Sequence, residues 1–318
     1  INMERKLVIV DCDAGTDDAL ALIILAGAHR VDKIKLLAVT CVNGNIDVDN
    51  VVNNVFRTLE ACGSADIPVF KGAYSPFLST DSATKCAAEL YHGRDGFGDV
   101  FVDKPDTSKL EKEHAVHAMY RIVSENPVCL GPLTNIALAI KLYPDFVNNV
   151  KEFYVMGGNY TAQGNITAQA EFNFYADPES VHIFLANNEK PHLLLPWEPC
   201  TRCEWRMEVF GIMDTPQTRL LNAIEHQVYS NKQKEFGIYR PCDAILAGII
   251  LRPDMAKKTV KYHADIELNG SKTRGQVVID HLRSQEPNVD IITDFDSEIF
   301  KEFLRSTTVL PNFFKPLD

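Results

Sequence analysis

Positive charge is scarce in this chain: 32 Lys and Arg stand against 43 Asp and Glu, a formal net charge of −11. Phosphate-rich surfaces need clustered cations, so neither nucleic acid nor an anionic membrane is an expected partner. Long apolar runs are absent as well. None approaches the roughly 18 residues that a bilayer-crossing helix requires. No repeat, low-complexity tract or Gly/Ser linker divides the 318 residues. The expectation is a single domain over 1–318, long enough to bury an ample core. Ile1-Asn-Met-Glu-Arg-Lys6 offers no signal-like apolar stretch ahead of the first strand. Cytoplasmic placement is therefore expected, although a cleaved signal would leave a similar start and secretion stays open.

Cysteine is present but not organised. Eight cysteines in a chain this long do not form a disulfide framework. Cys12, Cys41 and Cys129 fall in or beside apolar, strand-like runs and read as small buried hydrophobes. Cys200-Thr-Arg-Cys203 has redox-like spacing, but it follows Pro-Trp-Glu-Pro and has no second pair for zinc. Both are expected to be ordinary reduced thiols.

What the chain does have is a concentration of carboxylates in one place. Leu7-Val-Ile-Val10 reads as a buried strand and Ala19-Leu-Ala-Leu-Ile-Ile-Leu-Ala26 as an apolar helix. Between them lies Asp11-Cys-Asp13-Ala-Gly-Thr-Asp17-Asp18. A helix N-terminus favours each negative charge by only about 0.3–1 kcal/mol, and capping accounts for one or two of these residues. Four mutually repelling carboxylates call for a hard divalent cation with oxygen ligands. An EF-hand does not fit, because Gly15, Thr16 and Leu22 occupy its fifth, sixth and twelfth positions. The haloacid-dehalogenase phosphatase pattern Asp-x-Asp-x-Thr/Val also fails, since Thr16 comes one residue late.

Strand and helix patterns alternate along the chain. Strands are expected near 34–42, 128–130, 153–156 and 193–195, and helices near 48–61, 113–125, 133–142, 179–186 and 219–228. Such alternation gives an α/β fold: one open, mostly parallel sheet with helices on both faces. A hairpin turning at Asn269-Gly270 is expected within 264–278. The remaining polar candidates lie where strands end, and an open α/β sheet binds ligands beyond the carboxyl ends of its strands.

Asp-x-Asp-x-Gly-x-Asp-Asp closely resembles the signature of the inosine-uridine-preferring nucleoside hydrolases. Matches continue in order through Val42-Asn-Gly-Asn45, His92-Gly-Arg-Asp-Gly96, Leu130-Gly-Pro-Leu-Thr-Asn135, Met156-Gly-Gly158, Gly164-Asn165, Glu171-Phe-Asn173 and Cys242-Asp243. Each string is weak alone; together they span nearly the whole chain. The resemblance implies a Rossmann-like fold and Ca²⁺-dependent hydrolysis of ribonucleosides to ribose and free base, in purine or pyrimidine salvage. It implies a homodimer or homotetramer. It also implies roles. Asp13 would ligate Ca²⁺ and serve as general base on the metal-bound water. Asp18, Asp243 and the Leu130 carbonyl would complete the metal site. Asp17 and Asn45 would bind the ribose 2′- and 3′-hydroxyls, and Asn165, Glu171 and Asn173 the 5′-hydroxyl end. Asp11 would support the cluster without touching the ion.

The departure is Cys242, where many members of the family carry a His that protonates the leaving base. A thiol is a poor general acid near neutrality, so Cys242 is expected to line the base pocket as a small filler. Leaving-group activation would then fall to water or to one of Tyr229, Tyr239, His226 and Arg240. His92 sits among glycines, either on a mobile loop over the base or as a plain loop histidine. A degenerate nucleoside-binding protein and a metal-dependent phosphatase are the competing functions. Retention of Asp13 and Asp243 counts against the first, and the misplaced Thr16 against the second.

Overall fold

The computed structural model describes residues 5–78, 91–122, 126–187, 190–202, 214–230 and 240–309. In chain order these form β1 (Lys6–Cys12), α1 (Thr16–Arg30), β2 (Ile34–Cys41), α2 (Val48–Ala61), β3 (Val69–Lys71) and β4 (Leu110–Glu111). There follow α3 (Ala115–Ile122), β5 (Asn126–Cys129), α4 (Thr134–Leu142), α5 (Phe146–Asn149), β6 (Tyr154–Met156), α6 (Phe172–Ala176), α7 (Pro178–Ala186) and β7 (His192–Leu195). The last part comprises α8 (Trp197–Thr201), α9 (Pro216–Ser230), α10 (Cys242–Leu251), β8 (Ala256–Tyr262), β9 (Ala264–Ile266), β10 (Val277–Ile279), β11 (Val289–Phe295) and α11 (Ser297–Val309).

Nine strands form one sheet in the order β4-β3-β2-β1-β5-β6-β7-β11-β8. Every neighbouring pair is parallel except β11 and β8. The chain lays strands outward from β1 to β4 and then crosses back to place β5 on the other side of β1. The β1/β5 boundary is thus the topological switch point, where the connections leaving the two strands diverge and open a crevice.

The two faces of the sheet account for the apolar runs. Along β1, Val8, Val10 and Cys12 enter one core layer with residues of α1, α2, α9, α10 and α11. Ile9 enters the other, with residues of α3, α4, α5 and α7. A strand covered on both sides has no solvent face, so from Leu7 to Cys12 its residues are apolar except Asp11. Helix α1 is buried from Ala19 through Ala26 and packs on the equally apolar α10. That pairing brings Asp17 and Asp18, at one helix start, beside Asp243 at the other.

The expected hairpin is there: β9 and β10 pair antiparallel, Ala264 opposite Ile279, and Glu267 Oε1 accepts the Asn269 and Gly270 amides at 2.7 and 3.0 Å. Neither β8 nor β11 stands out in the sequence. β8 is an edge strand whose three lysines are exposed, and aspartates interrupt the apolar pattern of β11.

Candidate active site

The site begins with a strained turn. Ala14, between β1 and α1, has a φ of 38°, a left-handed conformation that costs a non-glycine residue on the order of 1–3 kcal/mol. Asn54 on α2 holds it, its Nδ2 donating to the Ala14 carbonyl at 3.0 Å and to the Asp95 carbonyl at 2.7 Å. One residue on, the Gly15 amide donates to Asp18 Oδ2 at 2.8 Å, closing the first turn of α1. His92 braces the same turn. Its buried ring accepts the Thr16 amide on Nδ1 at 3.2 Å, so a neutral His92 making this bond carries its proton on Nε2.

The aspartates then separate into different surroundings. Asp11 Oδ1 takes hydrogen bonds from Thr40 Oγ1 at 2.7 Å and Asn135 Nδ2 at 2.8 Å. Asp13 Oδ2 accepts the Asn45 amide at 2.7 Å. Its Oδ1, together with Asp18 Oδ1, is buried without a hydrogen-bond partner. Asp17, Asp18 and Asp243 offer carboxylate oxygens that all lie within 4.8 Å of one another. The cluster therefore takes in Asp17, which the resemblance places on the ribose. Asp17 is only half-buried, whereas Asp13, Asp18 and Asp243 are buried.

Burial is the main electrostatic fact here. It raises the Asp13 carboxyl to about 8 against the opposing Asn45 amide, with the Asp17 charge adding to it. Burial likewise raises Asp17 to about 6 and Asp11 to about 7. Asp18 and Asp243 rise well above the ordinary range, first from burial and then from the neighbouring carboxylates. Such groups favour proton uptake or a cation. An all-oxygen donor set with orphaned, buried carboxylate oxygens fits a hard divalent ion. The Leu130 carbonyl, just beyond β5, accepts Asn173 Nδ2 at 2.8 Å and keeps a second lone pair for a ligand.

Glu171 caps α6. Its carboxylate accepts the Gly158, Asn173 and Phe174 amides at 2.7, 2.9 and 3.1 Å, and burial still raises it to about 7. Asn173 is buried beside it, its Nδ2 also donating to the Met156 carbonyl at 3.3 Å. Asn165 is exposed, and its Oδ1 accepts the Phe172 amide at 2.8 Å; of the sugar-end candidates it lies farthest out. Cys242 is buried at the start of α10. Its Sγ donates to the Arg240 carbonyl at 3.5 Å, and its thiol is pushed well up, most by a hydrogen bond with Cys200 and then by burial. Tyr239 and the side chains of His226 and Tyr229 lie outside the described residues, as does Cys203.

Several contributors escaped the sequence. Thr40 and Asn135 hold Asp11; a polar residue inside the apolar β2 was the signal for Thr40. Gly44 and Gly131 flank Asp13. A Cβ on Gly44 would overlap the Asp13 carboxylate, and one on Gly131 would come within 2.9 Å of Oδ1. Trp197, which the sequence did not single out, carries the leaving-group candidate Arg240, whose guanidinium stacks at the carboxyl edge 5.4 Å from a ring centroid of the indole.

The chain that carries this oxygen-rich carboxylate cluster resembles known proteins in sequence and in fold. Residues 8–302 fit the model of the family described as inosine-uridine preferring nucleoside hydrolase. The chain belongs to this nucleoside hydrolase family. The inosine-uridine preferring nucleoside hydrolase of Leishmania major is 31% identical over 310 residues, covering 92% of this chain and 95% of that protein. The pyrimidine-specific ribonucleoside hydrolase RihB of Escherichia coli (strain SE11) is 30% identical, covering 88% and 89% respectively. The solved structure of an inosine-guanosine nucleoside hydrolase superposes with a TM-score of 0.87 at 25% identity, covering 96% of this chain and 99% of that one. The nucleoside hydrolase sheet and its surrounding helices are thus shared, and the enzyme class is hydrolysis of the N-ribosidic bond of ribonucleosides.

Proposed function

We propose that this nucleoside hydrolase acts with Ca²⁺ held by Asp13, Asp18, Asp243 and the Leu130 carbonyl. The observation that carries the proposal is the pair of buried, unpartnered oxygens, Asp13 Oδ1 and Asp18 Oδ1, beside Asp17 and Asp243. When bound, the ion supplies activation of the attacking water and orientation of the ribose diol. Asp13 takes the proton from that water. Its Oδ2 is held by the Asn45 amide, which fixes the orientation of the carboxylate. Asp17, more open than its neighbours, binds a ribose hydroxyl, with Asn45 at the same diol. Glu171, Asn173 and Asn165 take the 5′-hydroxyl end.

Positive charge grows on the ribose as the bond breaks. The Asp17 and Glu171 carboxylates, fixed beforehand by backbone amides, stabilise it without reorganising. The continuous sheet supports one domain as the catalytic unit. Relatives named for inosine-uridine, pyrimidine and inosine-guanosine substrates leave the base open.

The test is ribose release from inosine and from uridine in phosphate-free buffer, with Ca²⁺ or with excess chelator. Ribose that forms without phosphate and stops on chelation is expected, and the ratio of the two rates gives the base preference. No ribose from either substrate, with calcium bound, would instead favour a nucleoside-binding protein.

A further inference from the structure

The departing base takes both electrons of the C1′–N bond and leaves as an anion, so something must stabilise negative charge at the far side of a strongly acidic site. The Cys242 thiol is poorly placed to do so: its proton is directed at the Arg240 carbonyl, 3.5 Å away, and not into the site. Arg240 is different. Its guanidinium lies against the Trp197 ring, and its Nε is buried without a hydrogen-bond partner. Among the described residues no carboxylate forms a salt bridge with it. A buried, unsatisfied donor on a permanent cation is costly unless a ligand completes it.

Two tethers place that donor at the site. The Arg240 carbonyl accepts the Cys242 amide at 2.9 Å, and Cys242 directly precedes Asp243 of the carboxylate cluster. Trp197 donates its amide to the Gly158 carbonyl at 3.0 Å, and the Gly158 amide in turn donates to Glu171. The stacked pair therefore stands on the same rim as the sugar-binding carboxylates. A cation facing the ribose would oppose the charge that develops there, so its useful orientation is toward the base.

We propose that Arg240 is a catalytic residue that activates the leaving base, its guanidinium N–H donating to a ring nitrogen or carbonyl oxygen of the base. This rests on the hydrolase reading above. The balance is simple. Water adds its oxygen to C1′ and gives a proton to Asp13, and the C1′–N electron pair departs with the base. Arginine keeps its proton; the base anion is protonated by solvent, to which Asp13 returns the other proton. Trp197 holds the guanidinium by cation–π contact, a pre-organisation that favours a fixed donor.

The experiment compares wild type, Arg240→Ala and Arg240→Lys on inosine or uridine and on 4-nitrophenyl β-D-ribofuranoside, whose nitrophenolate leaves without help. Loss of one such donor costs about 10²–10³ in rate. Arg240→Ala is expected to lose that much kcat/KM on the nucleoside but less than about 5-fold on the nitrophenyl riboside, with Arg240→Lys in between. Added guanidinium ion should restore part of the lost nucleoside rate. Equal losses on both substrates, or none on either, would overturn the assignment. If Arg240→Ala does not fold, as read by circular dichroism, Arg240→Lys carries the same comparison. Wild type that cleaves neither substrate would overturn the hydrolase reading, and the proposal with it.

Discussion

Among the residues of the cluster, Asp13 and Cys242 make the sharpest contrast. Asp13 offers a buried, unpaired oxygen, while the Cys242 proton is spent on a backbone carbonyl. Asp13→Ala is expected to lower kcat/KM at least ~100-fold, the lower range for loss of a general base. Cys242→Ser preserves a small donor at the start of α10 and is expected to keep most of the activity. Steady-state kinetics on the preferred nucleoside decide this, and comparable losses in the two variants would reverse the roles. The Asp cluster was legible from the sequence because its members are neighbours in the chain. Thr40 and Asn135 were not: Asn135 reaches Asp11 across 124 residues, and no local spacing encodes such a bond.

At the scale of elements, the β1–α1 turn is held from three sides: by Asn54 of α2, by His92, and by the Gly44 loop after β2. Gly44→Ala puts a methyl group into the Asp13 carboxylate. An ångström-scale displacement at a reacting group can cost about 100-fold, and a loss of that size is expected here with the circular dichroism spectrum unchanged. Full activity in Gly44→Ala would mean that the Asp13 position is not critical. The glycines around His92 left a mobile lid and a plain loop both open; in the structure Gly93, Gly96 and Gly98 all serve left-handed turns. Within them the Gly98 amide returns to the His92 carbonyl at 2.7 Å, and the Asp95 and Asp99 carboxylates accept amides of the same loop. Glycine content shows where positive φ is needed and does not by itself distinguish a tied loop from a loose one.

For the molecule as a whole, the buried carboxylates couple stability to pH and to cations. Asp11, Asp13 and Glu171 have folded-state values of about 7, 8 and 7, above the ordinary carboxylate range, so the folded state binds more protons than the unfolded one. Their contribution is complete below pH ~4 and is lost as pH rises toward 8. His192, lowered to about 4 by burial, acts oppositely, its contribution being lost as pH falls below ~6.5. Between pH 6.5 and 8.5 the carboxylates dominate. The chelated protein is expected to lose several degrees of Tm across that interval, since one pKa unit is worth about 1.4 kcal/mol. Ca²⁺ should raise Tm more at pH 8.5 than at pH 6.5, because it replaces the missing protons. A cation shift independent of pH, read by differential scanning calorimetry, would contradict binding at these carboxylates.

The sequence by itself determined the fold class, the parallel strand-helix alternation and the identity of the acidic turn. Each depends on periodicity or on residues adjacent in the chain. Only the tertiary structure decided that β5 returns beside β1, which opens the crevice and brings Leu130 and Asn135 to the Asp loop. The packing of α1 on α10 then sets Asp243 beside Asp17 and Asp18, and the stacking of Arg240 on Trp197 sets a part-buried cation with a buried Nε at the rim. These are contacts between segments up to more than 200 residues apart, fixed by how two apolar layers close on a twisted sheet rather than by any local signal.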